Sequence, residues 1–80
     1  MEKQDIIELI ANILGIETSE ITIESDFYDD LNCDDKELVE LKLQLEDKLK
    51  IEFDEGEYSQ IETVNDLFEL IEENTDEFLV

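Results

Sequence analysis

Histidine and proline are missing from this 80-residue chain, glycine occurs twice and cysteine once. Without histidine, no Cys/His pair can activate a nucleophile. A lone cysteine, Cys33, excludes a disulfide framework and fits a reducing compartment, so the cytoplasm is the expected location. No long apolar run is present. The best stretch, Ile6 to Leu14, is broken by Glu8 and Asn12, which excludes a signal-peptide core and a bilayer span. Basic residues are scarce as well: five lysines stand against 26 acids, a net charge of -21. Such a surface repels nucleic acid phosphates and anionic lipid head groups, and draws in basic protein patches. Charge alone could signal disorder, but 41% of residues are hydrophobic and they recur at helical spacing. The length and the absence of linkers predict one small domain spanning residues 1–80. Its mutual repulsion predicts a monomer whose fold is sensitive to salt.

Ile6, Ile7, Leu9, Ile10, Ile13 and Leu14 follow the three- and four-residue steps of an amphipathic helix, and Gly15 ends it. The first helix is therefore expected over residues 3–14. Residues 16–34 read as a long loop whose Ile16, Ile21, Ile23, Phe27 and Leu31 should pack across the helices. Ile21-Thr22-Ile23 has strand propensity but no evident partner strand. Asp34 followed by Glu37 is a capping pattern, and Leu38, Leu41, Leu45 and Leu49 form a stripe that Val39 and Leu43 widen. That gives a second helix over 35–49. Ile51 and Phe53 alternate with acids, and one short helical turn is expected between Gly56 and Ile61. Thr63 with Asp66 repeats the cap before a last helix over 64–74. Phe78-Leu79-Val80 could extend that helix, cover the core or remain loose. The sum is an all-α, small four-helix bundle with a long first loop and a short third helix.

The run Asp29-Asp30-Leu31-Asn32-Cys33-Asp34-Asp35-Lys36-Glu37-Leu38-Val39-Glu40-Leu41 resembles the signature of the acyl carrier protein family. Leu45-Glu46 and Thr63-Val64 continue the match in order and spacing. The resemblance implies the same bundle and a non-enzymatic carrier. It also implies a serine at the start of the second helix that holds 4'-phosphopantetheine. Asp35 stands at that position. A carboxylate cannot form the stable phosphodiester, and Ser19, Ser25 and Ser59 lie in unrelated contexts. The expectation is therefore an unmodified Asp35 and no 4'-phosphopantetheine, with true acyl transport as the alternative if Asp35 is engineered or attachment is nonstandard.

The resemblance further implies that acids on the second helix meet basic surfaces of acyl- or aminoacyl-transfer enzymes. Asp34, Glu37, Glu40, Glu46 and Asp47 are the candidate docking residues, and an ordinary solvated face with Glu46–Lys50 pairing is the competing account. Leu38, Val39, Leu43, Phe53, Ile61 and Leu67 could line a shelter for an acyl chain, or simply form a closed core. Cys33 is either a reactive thiol at a helix start or a small loop residue. Asp26, Asp29 and Asp30, and the group Glu52, Asp54, Glu55 and Glu57, are oxygen donors whose spacing matches no EF-hand loop, so no metal site is expected. A generic acidic interaction module unrelated to acyl chemistry is the remaining reading.

Overall fold

Local capping sets the helix boundaries, and the computed structural model describes residues 2–75. Helix α1 spans Lys3–Leu14, α2 Asp35–Leu49, α3 Glu55–Tyr58 and α4 Val64–Asn74. A 3₁₀ turn, Thr18–Glu20, interrupts the first loop. No strand occurs among the described residues, apart from a single bridge between Asp26 and Thr63. The expected all-α bundle, with its long first loop and short third helix, is therefore the fold. The expectations for Phe78, Leu79 and Val80 lie outside the described residues.

Each predicted boundary has its physical cause in place. Gly15 ends α1 in the left-handed region, φ 69°, where its N–H reaches the Ala11 carbonyl. At the start of α2, the Asp34 carboxylate accepts from Glu37 N at 2.8 Å, and Glu37 accepts from Asp34 N at 3.0 Å. Thr63 and Asp66 repeat this reciprocal cap at α4. The short helix begins one residue earlier than Gly56 and ends at Tyr58, because Asp54 caps Glu57 N and sets its start.

The core joins all four helices and the loop. Phe27, Phe68, Ile6, Ile10, Leu45, Leu67, Ile71 and Val64 are essentially sealed from solvent. Phe27 anchors the loop, and full burial of such a side chain contributes about 1.5–3 kcal/mol. Ile21 and Leu31 are buried beside it, whereas Ile23 is 49% exposed. The Ile21-Thr22-Ile23 segment forms no strand. Its continuation is stitched to the start of α4 by Asn65 N to Ile23 O, Val64 N to Ser25 O and Phe27 N to Glu62 O. These bonds use carbonyls and N–H groups that a loop would otherwise leave to water.

The apolar stripe of α2 is narrower than expected. Leu38, Leu41 and Leu45 are buried and Leu49 packs at the margin, but Val39 and Leu43 point outward, 53% and 54% exposed. The core takes one helix face only, and these two lie outside its arc. No helix among the described residues is long and apolar enough to cross a membrane.

Candidate functional site at the start of the second helix

The loop before α2 folds back on itself to present Tyr28. Asp26 Oδ1 accepts from Tyr28 N and Asp29 N, both at 2.9 Å, and Asp30 Oδ2 accepts from Asp26 N at 2.8 Å. Asn32 takes the left-handed conformation, φ 53°, and Cys33 N returns to the Phe27 carbonyl at 2.8 Å. Buried Phe27 fixes the base of this turn, so the next side chain swings out over the start of α2. There the Tyr28 hydroxyl donates to Asp35 Oδ1 at 3.0 Å. That bond, followed by partial burial and the Asp35 charge, holds the phenol pKa above its usual value.

Asp35 is exposed in the first turn of α2, where the helix dipole favours its charge. A cleft of about 200 Å³ opens beside it, lined by Tyr28, Asp35, Leu38, Val39, Tyr58, Ser59 and Ile61. Of the six residues considered as a shelter for an acyl chain, Leu38, Val39 and Ile61 line this cleft. Phe53 and Leu67 belong to the closed core, and Leu43 is on the surface. Larger grooves exist on other faces, about 420 Å³ between α1 and α2 and 270 Å³ between α3 and α4, but both are wide open to solvent.

The candidate docking acids separate into three kinds. Asp34 and Glu37 are brought together with Asp35, but both are engaged in the α2 cap. Glu40 and Asp47 are exposed, Glu40 accepting from Gln44 Nε2 at 2.9 Å. Glu46 turns inward: its carboxylate accepts from Phe53 N at 2.8 Å and lies 4.0 Å from Lys42 Nζ. Lys42, not Lys50, is thus its charge neighbour, because Lys50 ends the helix in the left-handed conformation. Lys42 also lies 3.9 Å from Glu55 on α3. On the outward face, Lys36, Val39, Glu40, Leu43 and Asp47 recur at three- and four-residue steps, an apolar pair flanked by charge.

Cys33 is buried, its Sγ lies 3.5 Å from the Asp34 carbonyl, and its pKa is pushed up to about 11. Burial is the main cause, followed by the charges of Glu37, Asp34 and Asp35. A thiol held in this state is a packing residue rather than a nucleophile. Asp26 and Asp30 act as turn caps and Asp54 caps α3, and no group of three or more metal-ligating side chains assembles among the described residues.

Sequence reasoning missed Tyr28. The available signal was Asp26 two residues before it, a spacing at which an aspartate side chain folds the backbone back.

Residues 4–71 match a family model described as the phosphopantetheine attachment site. The chain is similar to an acyl carrier protein of Coprothermobacter proteolyticus, 41% identical over 78 residues, which cover 92% of this chain and 95% of the relative. It is 43% identical to one from Exiguobacterium sibiricum over 85% of this chain and 86% of that protein. One from Clostridium perfringens is 41% identical over 86% and 91% respectively. These matches correct the expectation that 4'-phosphopantetheine is absent, since attachment of that group describes the matched family. Residue 35 offers a carboxylate, and the hydroxyl hydrogen-bonded to it belongs to Tyr28.

Proposed function

Because the chain belongs to the acyl carrier protein family, we propose that it works as a non-enzymatic carrier domain, residues 1–80, in the cytoplasm. It acts as a monomer and docks basic surfaces of enzymes that transfer acyl or aminoacyl groups. When attached, phosphopantetheine would supply the thiol chemistry by which a carrier holds an acyl group. The protein's own part is to present that group at the start of α2 and to bring the right enzyme to it.

The observation that carries this reading is the outward face of α2. Val39 and Leu43 are large apolar side chains about half exposed, on a chain of net charge -21. An apolar pair flanked by Glu40 and Asp47 fits a partner with an apolar centre and a basic rim. Charge speeds the encounter, and the apolar pair sets the residence time. Asp34 and Asp35 extend the negative field toward the helix start. Glu37 and Glu46 contribute charge while their carboxylates hold the fold together.

The test uses the acyl-transfer enzymes of the same organism and stopped-flow association at low and high salt. E40K/D47K should slow association about tenfold at low salt and much less at high salt. V39D/L43D should mainly raise the dissociation rate. Unchanged kinetics in both variants, with every such enzyme, would remove the docking face from this helix.

A further inference from the structure

We infer that the cleft beside Asp35 is a receptor for one arginine side chain of the partner enzyme, its guanidinium held by the Asp35 carboxylate and the Tyr28 ring. This rests on the docking reading above and deepens it, naming the side chain that the start of α2 receives. The buried lining residues Leu38, Tyr58 and Ile61 form the floor of the cleft. Tyr28, Asp35, Val39 and Ser59 are exposed and form its rim. At about 200 Å³ the cleft is smaller than the roughly 300–1,000 Å³ of small-molecule sites, and is sized for a single side chain.

The chemistry of the lining selects a cation with an apolar stem. No lysine lines the cleft, so nothing there would offset the charge of a phosphate or a carboxylate. Among the described residues both ion pairs use Lys42, and neither reaches Asp35. The Tyr58 and Ser59 hydroxyls already donate, to the Leu38 and Gly56 carbonyls, so the floor needs no polar partner and takes methylene groups. At the rim, the Tyr28 hydroxyl donates to Asp35 Oδ1 at 3.0 Å and holds the carboxylate in position before a partner arrives. A carboxylate has lone pairs enough to accept a planar guanidinium on both oxygens as well. The Tyr28 ring, 47% exposed beside it, offers a face for the same plane to stack on. Arginine meets both demands, whereas the ammonium of lysine is a compact point charge. The cleft also continues the docking face. Asp35, Val39 and Leu43 stand at four-residue steps along α2, and Val39 belongs to both surfaces. A second copy of this chain is a poor occupant, since each copy carries a charge of -21.

The full chain is titrated with the acyl-transfer enzymes of the same organism, and each complex is treated with the arginine reagent phenylglyoxal and mapped by peptide mass. This chain has no arginine of its own, so the reagent reports on the enzyme alone. Wild type should protect one arginine. D35N keeps an oxygen for the Tyr28 hydroxyl and removes only the charge. It should lose that protection and bind about 30-fold more weakly, with an unchanged circular dichroism spectrum. Y28L should bind about fivefold more weakly. Protection of no arginine, protection that D35N leaves unchanged, or D35N binding as tightly as wild type overturns the assignment. Asp35-dependent binding that survives phenylglyoxal treatment of the enzyme but not acetylation of its lysines assigns an ammonium instead and also overturns it. If D35N and Y28L bind like wild type while V39D/L43D does not, the receptor falls and the docking reading stands. If no such enzyme binds wild type, both fall.

Discussion

The Tyr58 hydroxyl donates a 2.6 Å hydrogen bond to the Leu38 carbonyl, tying α3 to α2 across 20 residues of chain. Tyr58 is buried and its ring lies 5.5 Å from that of Phe53, so one side chain both fills the junction and polarises it. Y58F keeps the ring and loses only the bond. It should destabilise the protein by about 1 kcal/mol, read as a lower urea midpoint at unchanged slope. A midpoint equal to wild type would mean the contact contributes nothing net.

Gly15 sits at φ 69° with open space where a Cβ would go. The cost of G15A is therefore backbone conformation alone, about 1 kcal/mol. Thermal unfolding should show the drop. A loss several times larger would point to a clash that the geometry does not contain.

Glu40 and Glu46 look alike in sequence but differ in what they hold. E46A removes the acceptor of Phe53 N and the neighbour of Lys42, and should cost about 1–2 kcal/mol. E40A removes an exposed contact to Gln44 and should stay within about 0.5 kcal/mol of wild type. Equal effects in denaturant titrations would contradict the separation of structural from docking acids.

Asp66 is held below its ordinary value of 3.8, first by the backbone N–H of Glu62, then by that of Thr63. A folded-state pKa below the unfolded one stabilises above the unfolded value, and that stability is lost as pH falls through the folded value. D66N should thus be less stable than wild type at pH 7, with the gap closing as both are acidified below the ordinary value of 3.8. A gap independent of pH would show that the carboxylate charge plays no part.

Cys33 should react slowly. With its pKa at about 11 and its side chain buried, labelling by a maleimide at pH 7.5 should be at least about tenfold slower than for a cysteine peptide. The raised pKa also means that this group's contribution to stability is complete below its ordinary value of 9.0 and is lost as pH rises through 11. Labelling as fast as the peptide would reopen the reactive-thiol reading.

Much of the fold was legible because its signals are local. Gly15, the Asp34–Glu37 pair and the Thr63–Asp66 pair each act over three or four residues, and α1, α2 and α4 begin and end where these patterns place them. The long loop was legible as a packed segment through Phe27 and Leu31, but Ile23 was not, since the backbone bonds to α4 decide which way it faces. The docking acids were legible as a set. Their division was not, because Glu46 meets Phe53 only after the chain turns at Lys50.

By itself the sequence determined the helices, their caps, the acidic charge and the family signature around Asp35, all of which depend on neighbours within a turn or on composition. Only the tertiary structure decided that Tyr28 lies on Asp35, that Val39 and Leu43 face outward, and that Glu46 faces in. Those contacts depend on how the loop and α3 close over α2, and such closure is fixed by the packing of Phe27 and Tyr58 rather than by any local preference.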